Sequence, residues 1–282
     1  MKLRKLHIED YKMFKDFDIS FVDENDEPLP IVVLAGVNGS GKTTLLEYLG
    51  KVKEQKEILK IGYFKTIDIR KNDYFEFIDE KKIKLNLTLD TPLKNFHYYA
   101  QNIIYFLSGI DDTKKVADEF VKTFYLFLKE KDYRPSEVKS HFHEYMVKIF
   151  DGVDLTFKYS HLDRDDNVYF SNENNEEFMI NALSTGEKTL LSKVMYLYFL
   201  DYKDKVILID EPELSLHPSW QNKVLKIYEN FAKQNNCQII IATHSPHIIG
   251  SAKSEYLRML KKVDDKIEVV DNINRSYGLE FD

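Results

Sequence analysis

The chain has 282 residues, 43% of them hydrophobic, with 40 Lys and Arg against 47 Asp and Glu and a formal net charge of −7. That length and apolar content suffice for a large buried core and exclude an intrinsically disordered chain, while the acidic balance gives no general attraction for nucleic acid or membrane surfaces and leaves such roles to local basic patches. One cysteine, Cys237, excludes an intramolecular disulfide framework and fits a reducing compartment, with the thiol as buried filler.

The opening segment MKLRKLHIEDYKMF interrupts every apolar run with a charge, unlike a signal peptide. No stretch reaches the roughly 18 apolar residues that span a bilayer. The expectation is a cytoplasmic protein without a membrane partner. Alternation over residues 3–8 and 15–22 (Leu6, Ile8, then Phe17, Ile19, Phe21) predicts a hairpin ahead of the loop DENDEPLP. The stretch IVVLAGVNGSGKTTLLEYLG then passes from an apolar strand through a glycine-rich loop into a helix expected to stop near Gly50. Residues 61–69, 74–78 and 83–89 read as extended.

In the middle of the chain Val116, Phe120, Phe124 and Leu128 recur every four residues, and after Pro135 so do Val138, Phe142, Met146 and, with drift, Ile149. Two amphipathic helices follow from that spacing, the second ended by Asp151-Gly152. A second hairpin is predicted from DLTFKY and NVYF around the turn LDRDDN. The polar segment SNENNEE precedes LSTGEK and the apolar helix KTLLSKVMYLYFL. The runs VILID and QIIIA suit strands buried on both faces of a parallel sheet. No repeat and no heptad run long enough for a projecting coiled coil is present. His141 and His143 stand two apart in a helical segment, poor spacing for one metal on one face, and read as surface or packing residues.

Two stretches carry chemistry. GVNGSGKT, Gly36 to Thr43, fits the phosphate-loop pattern and sits between a strand and a helix, the context that confirms it. Glycines let successive backbone N–H groups converge on oxyanions, and the helix amino terminus adds positive potential. Lys42 can reach the β- and γ-phosphates of ATP, and Thr43 offers a hydroxyl to Mg²⁺; Gly36, Asn38, Gly39, Ser40, Gly41 and Thr44 complete the cradle. The second stretch, VILIDEPELSLHP, runs an apolar strand into Asp210, Glu211 and Glu213. Carboxylates crowded at the end of a parallel strand persist most readily around a cation or a reacting proton. Asp210 is therefore expected to share Mg²⁺ with Thr43, and Glu211 to act as general base on the attacking water.

LSTGEK, ELSLHP and ATHSP, in that order along the chain, resemble the signature, D-loop and switch-histidine segments of ABC-type ATPases, in the branch that holds SMC proteins, RecF and OLD-family ATPases, often labelled AAA-family ATPases. The resemblance covers about residues 1–50 and 180–260. DEPELSLHPSWQ is closer to the OLD-like and RecF-like form than to that of transporter subunits. It implies an α/β fold, an ABC-type ATPase head with a mostly parallel core sheet flanked by helices, an antiparallel β subdomain and a helical insertion. Residues 1–282 would be one such domain, with the mainly helical insertion at about 92–150. It further implies ATP and Mg²⁺ as ligands, and a homodimer in which Ser184, Gly186 and Glu187 of one copy meet the γ-phosphate held by the other. His244 would contact the γ-phosphate beside Ser245, Lys12 in IEDYKMFKDF would lie near the nucleotide, and Gln101, or else Gln55, would be the metal-contacting glutamine. The function implied is an ATP-hydrolysing dimeric switch that controls a partner effector in DNA maintenance or phage defence, with nucleic acid admissible as a further ligand. A transporter nucleotide-binding subunit and a non-hydrolysing ATP-gated scaffold are the alternatives. NRSYGLEFD is expected to end the chain short of the nuclease domain of OLD proteins.

Overall fold

A computed structural model describes residues 1–50, 72–78, 84–88, 102–107, 113–153, 157–199, 203–214 and 216–270. Its Cα framework divides into two compact units: residues 1–108, 203–212 and 235–282, and residues 109–202 and 213–234.

The first unit opens with β1 (Lys2–Tyr11) and β2 (Phe14–Ser20), antiparallel, with Tyr11 facing Phe14 across a two-residue turn in which Lys12 adopts φ 51°. The expected hairpin is therefore longer and tighter than the alternation alone indicates. Leu3, Leu6 and Ile8 are fully buried on its inner face. After β3 (Ile31–Ala35), helix α1 occupies residues 42–50, so the expected stop near Gly50 falls at the edge of the described residues. β4 (Tyr74–Ile78) and β5 (Lys84–Leu87) join the hairpin in a four-stranded antiparallel sheet of order β2-β1-β4-β5. The extended segment expected at 61–69 lies outside the described residues.

A six-stranded sheet completes the unit. It contains β6 (Ile103–Leu107), β10 (Val206–Asp210), β11 (Gln238–Thr243), β12 (Leu257–Val263) and β13 (Lys266–Val270) with β3, in the order β13-β12-β3-β11-β10-β6. Its pairings are parallel except for the antiparallel β12–β13 hairpin. Every residue of β3 and β11 is buried, as is every residue of β10 but the last, which is why these strands read as unbroken aliphatic runs. Sequence reasoning missed three strands here. Ile103–Leu107 lies within the stretch assigned to a mainly helical insertion, yet pairs along its full length with β10; five apolar residues do not declare their period. The β12–β13 hairpin turns at Asp264 and Asp265, both with positive φ, an Asp pair that could have marked it.

The second unit holds helices α2 (Thr113–Glu130), α3 (Pro135–Ile149), α4 (Thr185–Phe199) and α5 (Pro218–Gln234) and an antiparallel sheet of β7 (Phe157–Leu162), β8 (Val168–Asn172) and β9 (Glu177–Met179). The predicted helices and hairpin are present, and β9, of which only Glu177 falls in the polar segment SNENNEE, was not anticipated. Val138, Phe142, Met146 and Ile149 are buried as their spacing requires. In α2 the buried pair is Phe120 and Phe127, with Phe124 and Leu128 half-exposed, because Phe120 faces an aromatic cluster of Phe142, Tyr159, Phe170 and Phe199. His141 is a packing residue here: its ring lies edge-on to Phe127 and its Nε2 is 2.9 Å from the Tyr198 hydroxyl. Cys237, in the first unit, is buried and its thiol is pushed up to about 12 by burial. No helix among the described residues is long and apolar enough to cross a membrane.

Candidate functional site

The register of the six-stranded sheet aligns three strand ends. Ala35 lies opposite Thr243, and Asp210 opposite Ala242, so β11 stands between β3 and β10 and all three release their loops at one edge. Ligands of open α/β sheets bind at that edge.

The loop after β3 is shaped by its glycines. Gly36, Gly39 and Gly41 have φ of 152°, 81° and 90°. At Gly36 a Cβ would lie 2.4 Å from the Leu260 carbonyl oxygen and 2.6 Å from Ser40 Oγ, so only glycine lets the chain leave β3 there. At Gly39 a Cβ would meet nothing within 4 Å, so the loop is open to solvent there. Ser40 and Gly41 are buried, Val37, Asn38 and Gly39 exposed, and Thr44 half-buried on the helix. Lys42 is buried against this loop, and its ammonium donates to the Gly36 carbonyl at 2.8 Å and the Val37 carbonyl at 3.0 Å. An open nest of N–H groups at a helix amino terminus, with a buried ammonium beside it, fits a polyphosphate.

From the first turn of α1 the Thr43 hydroxyl donates to Asp210 Oδ1 at 3.2 Å, across the width of β11. A hydroxyl and a carboxylate in contact at the mouth of a phosphate nest form a hard oxygen pair, the donor chemistry that suits Mg²⁺. Next to Asp210, Glu211 takes φ 47° while its N–H donates to the Ala242 carbonyl at 2.8 Å. A non-glycine residue in this conformation is strained by about 1–3 kcal/mol. The bend turns the Glu211 carboxylate toward β11, where Oε1 sits 3.2 Å from His244 Nδ1. His244 is held in turn by Ser245, whose hydroxyl accepts from the Ile248 N–H to cap α6 (Pro246–Ser251) and whose N–H donates to Thr243 Oγ1 at 2.9 Å. Thus Gly36, Lys42, Thr43, Asp210, Glu211 and His244 meet within one unit. Lys12 reaches α1: its Nζ is 3.5 Å from Glu47 Oε2 and 5.4 Å from the Tyr11 ring centre. Gln55 and Gln101 lie outside the described residues. Glu213, the third carboxylate after β10, is buried in the second unit near Tyr228, whose hydroxyl is pushed up by burial first and by the Glu213 charge second.

Ser184, Gly186 and Glu187 belong to the second unit, at the amino terminus of α4. Glu187 Oε2 accepts from the Ser184 N–H at 2.9 Å and from its hydroxyl at 2.6 Å, while the Glu187 N–H donates back to Ser184 Oγ at 3.4 Å. This reciprocal capping box was legible in the S-x-x-E spacing but was not anticipated. Gly186 has a packing role as well: a Cβ there would lie 3.0 Å from Trp220 Cδ1.

The model of the family described as AAA ATPase domain matches residues 1–134 and 106–249. The chain is 25% identical to "Retron Vc95 probable ATPase" of Vibrio cholerae serotype O1 biovar El Tor over 81% of its own length and 45% of the relative's. It is 24% identical to "Septu protein PtuA" of Bacillus thuringiensis over 88% of its own length and 74% of the relative's. The chain thus spans about half the length of the retron relative. The solved SMC head domain from Thermotoga maritima superposes with a TM-score of 0.58 at 17% identity, covering 96% of this chain and 98% of that one, so the fold is SMC head-like: a mixed, mostly parallel sheet with helices and antiparallel sheets.

Proposed function

The chain belongs to the AAA ATPase domain family, and from that membership we propose that it is a magnesium-dependent ATPase acting as a nucleotide-gated dimer that controls a partner effector in phage defence or DNA maintenance. The observation that carries the reading is the Thr43–Asp210 contact at the mouth of the phosphate nest, with the Glu211–His244 pair one residue on. The likeness to a retron probable ATPase and to a Septu protein supports this setting, and the effector is part of the proposal.

In the proposed mechanism the N–H groups of the loop and the Lys42 ammonium bind the β- and γ-phosphates of ATP, whose negative charge is best held where fixed dipoles converge. Thr43 and Asp210 would hold Mg²⁺, which when bound neutralises charge on those phosphates. Glu211 accepts the proton of the attacking water, and His244 keeps the Glu211 carboxylate oriented for that transfer. Ser184 and the amino terminus of α4, with Gly186 and Glu187, receive the γ-phosphate bound by a second copy, so that ATP bridges the pair and hydrolysis releases it.

Glu211→Gln tests both halves. Loss of the base lowers steady-state phosphate release by about 10²–10⁴-fold, while ATP binding persists and light scattering finds a nucleotide-dependent dimer that outlives the wild-type one. Unchanged turnover together with a monomer at saturating MgATP would falsify the reading.

A further inference from the structure

Helix α1 carries Lys42 and Thr43 on its first turn, and the same helix is tied to the antiparallel sheet one turn further on. Tyr48 is 2% exposed, with its ring 4.8 Å from that of Tyr11 on β1 and stacked at 5.7 Å on Phe75 of β4. Its hydroxyl donates to Asp73 Oδ2 at 2.5 Å. Asp73 is itself fully buried, just before β4, and its other oxygen accepts the Glu9 N–H of β1 at 2.6 Å. One buried carboxylate therefore bridges the phosphate helix and the backbone of the first strand. A carboxylate buried this deeply is costly unless its bonds are made in one geometry, so the bridge sets where α1 sits along its axis. At the hairpin tip Lys12 makes a second, exposed tie to Glu47.

We infer that Tyr48 and Asp73 are positioning residues for nucleotide binding: their buried hydrogen bond fixes the register of α1 so that Lys42 and Thr43 present their groups to the phosphates and to the ion shared with Asp210. The inference rests on the ATP-binding reading above and deepens it. A strut between helix and sheet also means that phosphate engagement at one end of α1 is felt by β1 and β4 at the other, because packed elements shift as bodies.

The test compares Tyr48→Phe, which keeps the stacked ring and removes only the hydroxyl, with Phe77→Leu, a buried change in the same β4 strand that leaves the Tyr48–Asp73 bond in place. Both are expected to lower the thermal midpoint by a few degrees. The Kd for MgATP, measured well below that midpoint, rises roughly tenfold in Tyr48→Phe, the loss of one charge-assisted hydrogen bond, and the Mg²⁺ concentration needed for half-maximal binding rises with it. Phe77→Leu leaves both values at wild type. Asp73→Asn, which retains an acceptor for the Glu9 N–H and weakens the bond to Tyr48, falls between. Equal Kd shifts in the two destabilised proteins, or none in Tyr48→Phe, overturn the inference and reduce the bridge to a stability element. Failure of the wild-type protein to bind MgATP overturns the ATP-binding reading itself.

Discussion

Two helix amino termini in this molecule solve the same physical problem in opposite ways. At α1 the amino terminus follows a glycine-rich loop, and Lys42 lies back over that loop, held by its Gly36 and Val37 carbonyls. At α4 the equivalent groups are satisfied from within, by Ser184 and Glu187 in a reciprocal cap. The loop before the first terminus takes positive φ at Gly36, Gly39 and Gly41, a conformation that glycine adopts without strain and that suits a receptacle for an anion. The second is an ordinary, stable helix start whose polar groups already have partners. Helix-terminus potential alone does not make a binding site; the shape of the preceding loop does. In the proposed dimer, α1 binds nucleotide by itself, whereas α4 contributes only when a second copy presents a phosphate to the Ser184 hydroxyl and the N–H groups of Gly186 and Glu187.

The sharpest way to break this contrast is to remove the key group from each terminus. Lys42→Ala eliminates the buried ammonium of the nest and is expected to weaken MgATP binding by about 100-fold, as for two charge-assisted hydrogen bonds. Ser184→Ala leaves the Kd of the isolated copy unchanged and lowers stability by about 1 kcal/mol through loss of the cap, while ATP-dependent association, followed by light scattering, disappears. Equal loss of MgATP affinity in the two variants would abolish the distinction.

The glycines sharpen it further. Gly36→Ala places a methyl 2.4 Å from the Leu260 carbonyl oxygen in a left-handed backbone, so the loop must move. A cost of roughly 2 kcal/mol in urea unfolding and loss of MgATP binding are expected together. Gly186→Ala meets the edge of the Trp220 ring at 3.0 Å, a side chain that can give, in a backbone without positive φ. A cost below about 1 kcal/mol is expected there, offset by the better helix propensity of alanine, with MgATP affinity intact.

The smallest effect is a pH dependence confined to the second unit. The far end of α4 is pinned by Tyr198 to His141, whose basicity is lowered, by burial first and then by Lys131. A His with a depressed folded pKa is stabilising in its neutral form. That contribution is complete above the ordinary value of 6.5 and is lost as the pH falls from there through the lower folded value, because the unfolded chain takes up its proton first. Thermal melts from pH 7.5 to 5 should show the midpoint falling on the acid side, with a shallower fall in His141→Gln, which keeps a hydrogen-bonding group beside Tyr198. An identical slope in both proteins removes His141 from the account.

Local chemistry was readable without coordinates where it depends on a few consecutive residues. The glycine spacing of GVNGSGKT marks three positions of positive φ, at the first of which a Cβ would also meet the Leu260 carbonyl, and the aliphatic runs of β3, β10 and β11 announce burial on both faces. The four-residue spacing of Val138, Phe142 and Met146 likewise fixed the buried face of α3. Short strands were less legible: β6 and β9 contain too few residues to display a period, and their pairing partners, β10 and β8, are what make them strands. In α2 Phe120 is covered as the spacing requires, while the contact of Phe127 with His141 buries that residue more deeply than Phe124 or Leu128.

What the sequence determined by itself was the set of chemical groups: a phosphate nest, an ammonium, a hydroxyl, two adjacent carboxylates and a histidine at a strand end. What only the tertiary structure decided was their meeting. Thr43 and Asp210 are separated by 166 intervening positions and touch because the parallel register sets β11 between β3 and β10 and ends all three strands at one level. The Tyr48–Asp73 bridge and the left-handed turn at Glu211 were decided in the same way. Residue types are set by covalent structure, but distances between them are set by packing, where strand order, register and burial of the remaining chain choose which groups share a site.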